Sequence, residues 1–219
     1  MQTDTTIRYL NGFDDLHAIE DVSRVLDAYE RRELAFAPWH NGGDTPLAAF
    51  SIAYGSDDIY LKYYVTEDAI KAEYSKFNDP VYEDSCVEFF IAFNGDPNYY
   101  NLEFNCMGTS RVQYGNGKYN RTFIPANILK TIKHQTTLKS TENGNIQWEL
   151  TLSIPKKIFT YHPKLSFEKS RAKVNFYKCG DGLPKPHFLC WNNIENGYPE
   201  FHLTDFFKEV TFSPQVIKN

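Results

Sequence analysis

Pro80 to Arg111 reads P-V-Y-E-D-S-C-V-E-F-F-I-A-F-N-G-D-P-N-Y-Y-N-L-E-F-N-C-M-G-T-S-R, and its period decides the fold. Apolar and polar residues alternate from Ser85 to Phe93 and again from Tyr99 to Cys106, on either side of Asn94-Gly95-Asp96-Pro97-Asn98. Two such runs around a Gly- and Pro-bearing pentapeptide predict a β-hairpin with a five-residue loop. In the first strand Val87, Phe89, Ile91 and Phe93 share one face and Glu88 projects from the other. In the second, Tyr100, Leu102 and Phe104 lie opposite Asn101, Glu103 and Asn105. Each strand therefore offers an apolar face to a core and a face of amides and carboxylates for recognition.

The rest of the composition agrees with a strand-rich body. The chain has 219 residues, a size that all-β sandwiches reach as one domain. A globule of this size buries roughly 70% of its unfolded surface, so a core forms without disulfide or metal. There are 23 Lys and Arg against 28 Asp and Glu, scattered along the chain for a net charge of -5. Nucleic acid needs a clustered basic surface, so it is excluded as a partner. Aromatics reach 16%, with 15 Tyr and 17 Phe, which suits β-packing and also supplies flat rings for a ligand. No apolar stretch is long enough to span a membrane, and the first residues lack the basic start and apolar run of a secretory signal. The expected location is cytoplasmic, or the periplasm or cell exterior if a leader has been removed. Cys86, Cys106, Cys179 and Cys190 could pair in three ways, and their spacing marks neither a disulfide scaffold nor a zinc site, so free thiols are expected.

Along the chain, Leu16, Ile19, Val22, Leu26 and Tyr29 recur at steps of three and four. They predict a helix within Phe13 to Leu34, capped by Asp14 or Asp15, as an N-terminal flank. Trp39 follows in a loop. Ala48 to Tyr54 and Ile59 to Val65 read as strands, and Glu67 to Phe77 as a helical turn or two before Pro80. Beyond the hairpin, Arg111 to Tyr114 and Lys118 to Thr122 flank a Gly-Asn-Gly turn. Thr136 to Ser140 and Ile146 to Ile154 flank Asn143-Gly144, with Trp148 on the apolar face. Lys173 to Lys178, His187 to Trp191 and Val210 to Phe212 are further short strands, separated by the loop Cys179 to Pro186. About ten short strands with frequent turns predict one all-β domain over residues 1–219, an antiparallel sandwich of jelly-roll or immunoglobulin-like type.

Three chemistries remain open. Asp84, Glu88 and Glu103 sit in the organising hairpin, and a glycoside hydrolase needs two carboxyls roughly 5 to 10 Å apart across a sugar. Solvated acids on a polar sheet face are the simpler reading. His187 and His202 lack metal-ligand spacing, and Cys179 lacks a nucleophile motif, so capped loop histidines and an inert thiol are expected. The aromatics say more. A sugar needs flat rings for its C–H face and fixed amides, acids or Arg for its hydroxyls. Tyr82 and Trp191, with Trp39, supply the rings, and Glu88, Asn101, Glu103, Asn105, Arg111 and Asn192 supply the rim. A structural or protein-binding sandwich, with these rings all in its core, is the third reading.

The motifs V-Y-E-D-S-C-V-E-F-F-I, Y-Y-N-L-E-F-N-C-M-G, N-F-Y-K-C-G-D, P-H-F-L-C-W-N-N-I and P-E-F-H-L-T-D-F-F, in this order, resemble the family 9 carbohydrate-binding modules. The branch they resemble is the one common in gut Bacteroidetes, whose members are often labelled carbohydrate-binding-like domains or candidate xylanases. The resemblance runs from about Ala35 to Pro214. It implies a β-sandwich, non-catalytic glycan binding in polysaccharide breakdown (xylan among the substrates), and a sugar end clamped between two rings beside a carboxylate and an arginine. Trp191 then stands as one ring, Tyr82 occupies a position usually held by Trp, Glu88 is the carboxylate and Arg111 the arginine. The resemblance also leaves calcium open as a cofactor, with no ligand set assigned, and the oligomeric state open.

Overall fold

The structure, a computed structural model, describes residues 5–11, 18–40, 42 and 45–215. Its strands in chain order are β1 (Thr6–Tyr9), β2 (Arg32–Glu33), β3 (Leu47–Tyr54), β4 (Asp58–Glu67), β5 (Cys86–Phe93), β6 (Tyr99–Asn105), β7 (Ser110–Gly115), β8 (Thr122–Phe123), β9 (Lys133–Ser140), β10 (Ile146–Pro155), β11 (Arg171–Cys179), β12 (Phe188–Cys190) and β13 (Lys208–Phe212). The helices are α1 (Ile19–Leu26) and α2 (Ala126–Leu129).

Alternation places these strands in two facing layers. The first runs β8-β7-β6-β5-β11-β13-β1, with β12 also paired to β11, and the second runs β1-β3-β4-β10-β9, with β2 on β3. β1 joins the layers: Thr6 and Ile7 pair with β13, Arg8 and Tyr9 with β3. Both of these pairings are parallel, so the sandwich is mixed at its seam rather than antiparallel throughout. Between the layers lie Val87, Phe89, Ile91 and Phe93 of β5, Tyr100, Leu102 and Phe104 of β6, and Trp148, Leu150, Leu152 and Ile154 of β10. Phe176 of β11 stacks on Phe50 of β3 at 3.7 Å and on Phe89 at 4.9 Å, locking one sheet onto the other.

Each sheet also carries a covering on its outer face. Ile19, Val22 and Leu26 of α1, with Tyr29 just beyond its end, pack on Ala53 and Tyr60 of the second sheet. Beneath the end of α1, the buried Lys62 is held by Asp27 at 2.7 Å and Glu149 at 2.8 Å. On the first sheet, Cys86, Phe90, Tyr99, Tyr177 and Cys179 are roofed by Val81, Ile194, Phe201 and Phe207 from the loops before β5 and after β12.

The hairpin, its loop and its apolar face are as the alternation predicts, whereas the face of amides and carboxylates is buried under loops instead of lying open to solvent; Trp148 is core with its indole donating to Glu67 at 2.7 Å. Four further expectations are corrected. The helix is shorter, Ile19–Leu26, because Arg32 and Glu33 leave it to pair with Phe50 and Ala49; Asp14, Asp15 and Leu16 lie outside the described residues. Glu67 to Phe77 forms no helix after β4 ends, since the Asp84 carboxylate binds the backbone N–H groups of Glu73 and Tyr74, each at 3.0 Å, and holds the segment extended. Lys118 to Thr122 contributes only Thr122 to β8. Trp191 is not an open ring. It is 7% exposed, edge-on to Phe50 at 5.8 Å and Phe176 at 5.7 Å within the core.

Trp191→Ala should therefore act on stability, with a loss of about 3–5 kcal/mol in urea unfolding from the cavity it leaves. A loss below about 1 kcal/mol would show the indole to be dispensable to the core.

Candidate functional site

β12 explains which ring faces out. Successive side chains of a strand alternate between faces, so residues three apart point oppositely. Leu189 and Trp191 enter the core, whereas Phe188 and Cys190 join the outer layer. Phe188 is half-buried and lines a groove of about 460 Å³ on the outer face of the first sheet, together with Tyr82, Glu88, Glu103, Arg111 and His202. That volume is typical of small-molecule sites. Larger hollows beside Trp148 and beside Asp96 combine no exposed ring with buried carboxyl groups.

The walls are built by local chemistry. Tyr82 sits in a single 3-10 turn, Val81–Glu83, after Pro80. The turn is stitched to the loop beyond β11: the Asp181 N–H donates to the Tyr82 carbonyl and the Gly182 N–H to that of Glu83, each at 3.1 Å. A Cβ at position 182 would come within 2.6 Å of the Glu83 carbonyl oxygen, so only glycine allows this approach. On the far side Trp39 and Phe201 support Phe188, with ring centroids 6.2 and 6.1 Å away. The Trp39 indole is itself fixed by a 2.8 Å bond to the Asn196 carbonyl.

The floor is a row of charges across adjacent strands, because Glu88 pairs with Glu103, and Glu103 with Arg111, in the sheet register. Both carboxyls are 4% exposed. Glu103 accepts from Asn101 Nδ2 at 2.6 Å, and the Asn101 carbonyl in turn accepts from Arg121 Nε at 3.1 Å. Arg111 donates to the Asn78 carbonyl at 2.9 Å and lies over Phe123 at 4.8 Å and Tyr82 at 5.7 Å. Glu103 Oε2 and Arg111 Nε are 3.7 Å apart, buried, and without a hydrogen-bond partner. The two atoms form an ion pair with each other and make no hydrogen bond, which leaves donor and acceptor capacity facing one another in the groove.

Burial governs the protonation of the floor. It pushes Glu88 well above the carboxylate range, and the neighbouring Glu103 pushes it further. Burial raises Glu103 to about 7 against the pull of Arg111. His202, packed on Phe90 and bonded to the Tyr99 hydroxyl at 2.6 Å, is held neutral by burial and nearby cations, its pKa lowered to about 3. Burial likewise keeps the Cys179 thiol protonated, which removes it as a nucleophile.

A profile of carbohydrate-binding family 9 matches residues 22–212 of the chain. The chain belongs to carbohydrate-binding family 9. The module is similar to a candidate carbohydrate-binding protein from Bacteroides uniformis, at 34% identity and a TM-score of 0.87, over 95% of this chain and 98% of that one. It shares its fold with a family 9 module from Caldicellulosiruptor kristjanssonii. The complex of that module with cellotriose gives 13% identity, a TM-score of 0.56 and coverage of 97% and 95%. The complex with glucose gives 12%, 0.55, and 98% and 97%. No protein of curated function matches by sequence.

Within the family 9 module, Tyr82, Glu88, Glu103 and Arg111 come together in the groove. The other expected site residues do not line it. Asn101 is buried beneath it and orients Glu103. Asn105 is buried in a knot with Asp84 and the Tyr74 carbonyl. Asn192 ties its own backbone N–H to Asn175 and its amide to the Phe206 carbonyl. Trp39 stands behind Phe188, and Trp191 is in the core. Sequence reasoning missed Phe188, His202, Asp181 and the Lys118–Glu200 pair, and also Arg121, which clamps the 115–117 turn through the Gly115 and Gly117 carbonyls. Counting from Leu189 at period two would have put Phe188 outside. Among the described residues, the only cluster of three or more His, Cys, Asp or Glu side chains close enough to share an ion is Cys86, Glu88 and Cys179. Two thiols do not suit calcium, which takes six to eight oxygens.

Because the folded module holds the Glu103 proton more tightly than the unfolded chain, its native state binds more protons between pH 4.5 and about 7. Stability must fall as pH rises through that window. Glu103→Gln, which mimics the protonated acid, should be neutral near pH 4 and stabilising by about 1–3 kcal/mol at pH 8 in urea melts; an unchanged pH slope would contradict this.

Proposed function

We propose that the groove between Tyr82 and Phe188 binds a pyranose unit of a glycan, its C–H face against the rings and its hydroxyls against Glu88, Glu103 and Arg111. Carbohydrate binding is the function of the family to which the chain belongs. The observation that carries this site is the Glu103–Arg111 ion pair, whose Oε2 and Nε make no hydrogen bond, beside two half-buried rings. A carboxylate accepts from a hydroxyl and a guanidinium donates to one, so neighbouring sugar hydroxyls can satisfy both atoms at once. The Caldicellulosiruptor module's complexes with glucose and cellotriose support hexopyranose ligands as the class to test first, with xylo-oligosaccharides beside them.

Binding without hydrolysis fits the placement of the two acids. Glu88 and Glu103 are cross-strand neighbours on one floor, whereas glycosidase carboxyls flank the scissile bond. Neither acid stands across the groove from the other to take the opposite role.

Calorimetry with glucose, cellotriose and xylotriose should give binding for at least one of them. Tyr82→Ala and Phe188→Ala should each weaken it by about tenfold or more, the loss expected for 1–3 kcal/mol of ring burial. Trp191→Phe should bind normally once folded. Unchanged affinity in both groove variants would overturn the site, and release of reducing ends from xylan or cellulose oligomers would overturn the non-catalytic reading.

A further inference from the structure

At the floor of the groove lies a cluster whose two thiols glycan recognition does not use. Cys86 and Cys179 face each other directly in the register of β5 and β11, and Glu88 follows two residues after Cys86 on the same face. One donor atom from each residue fits within a mutual separation of 4.8 Å, and Cys179 Sγ lies 3.1 Å from Glu88 Oε1. Both thiols are essentially unexposed and free, and they lie within hydrogen-bonding reach of each other. The Asp181 carboxyl also contacts the Cys179 thiol. Ligand atoms around a tetrahedral zinc stand about 3.2–3.8 Å apart, given bond lengths near 2.3 Å to sulfur and 2.0–2.2 Å to oxygen. The cluster needs only small side-chain adjustments to reach that spacing, and its donors sit on rigid paired strands.

We propose that Cys86, Cys179 and Glu88 form a binding site for a thiophilic divalent cation of the zinc class, with Asp181 placed to supply a fourth ligand. Thiolates select such ions over calcium or magnesium. Glu88, Cys179 and Asp181 all line the groove, so the ion has a way in between Tyr82 and Phe188. Binding forms two metal–sulfur bonds, and the two thiol protons pass to the buffer without any redox change. Both thiols must lose their protons to bind, so the ion competes with protons. Its affinity must rise with pH, by more than tenfold per unit where both protons are displaced. The site stands apart from the sugar reading, but the two share Glu88, so a bound ion should weaken any glycan that uses this carboxylate.

The test is a cadmium titration of the full chain kept reduced with a phosphine, followed by the ultraviolet thiolate-to-cadmium charge-transfer absorption, with zinc as competitor. A band that saturates at one equivalent, collapses with zinc, and strengthens from pH 6 to pH 8 is expected. Cys179→Ser should abolish the band or weaken the affinity by about 100-fold, and Cys86→Ser provides the second variant should the first fail to fold. Cys106→Ser and Cys190→Ser should leave it intact. No band, or a band unaltered in both Cys179→Ser and Cys86→Ser, overturns the site. Glycan binding without cadmium binding refutes the metal site alone, and cadmium binding without glycan binding refutes the groove reading alone.

Discussion

Strand alternation in β5, β6 and β11 is the constraint on which everything else rests, because here both faces of the sheet are covered. The inner face meets the second sheet through Phe89, Leu102 and Phe176. The outer face is roofed by loops carrying Val81, Ile194, Phe201 and Phe207. The polar partners in the alternation, Glu88, Asn101, Glu103 and Asn175, have nowhere wet to go. Each must be satisfied by a neighbour or wait for a ligand.

Most of them are satisfied, and the bonds that do so shape the roof. Asn105 and Asp84 hold the extended segment before Pro80, and Asn175 binds the carbonyls of Asn192 and Phe206 to hold the loops after β12. Asn101 hands its hydrogen bond to Glu103 and takes one from Arg121. The residues that an alternation reading places on a recognition surface are thus largely the internal bracing of that surface. Where the roof parts, between Tyr82 and Phe188, Glu103 Oε2 and Arg111 Nε are held by each other but make no hydrogen bond. The raised pKa values of Glu88 and Glu103 follow from burial, with Glu103 pushing Glu88 up further, so an ionised carboxylate here opposes folding.

The sandwich was legible because a period of two survives any amount of tertiary context. The hairpin of β5 and β6, the apolar row of β10 and the turn at Asn143-Gly144 all stand as their residues imply. The parts that were not legible depend on distant partners. β1 exists because β3 and β13 each offer it an edge, and four residues carry no periodicity of their own. Glu67 to Phe77 has helix-forming residues but answers to Asp84. At the site, the carboxylates and Arg111 were legible from strand position. The ring is not: the motif points to Trp191, while the outward ring is Phe188, three residues earlier and therefore on the opposite face of the strand. The three residues of β12 are too few to show a pattern of their own.

The choice of a phenol and a phenyl as walls, rather than two indoles, shifts the source of specificity. Each ring contributes on the order of 1–3 kcal/mol by burial, whatever the sugar presented to it, since stacking reads only a C–H face. Hydrogen bonds to charged groups are worth about 1.5–3 kcal/mol, and leaving a buried partner unpaired costs a similar amount again. In this groove the floor carboxyls are 4% exposed and the floor is partly without hydrogen-bond partners, while the walls are half-buried. On the proposed reading, a sugar that lacks a hydroxyl opposite Glu103 and Arg111 forfeits both contributions, so the hydroxyl pattern would be discriminated more steeply than ring size or chain length. Selectivity on that reading rests on the floor residues of β5, β6 and β7, and the rings of the roof add affinity that is nearly the same for every pyranose.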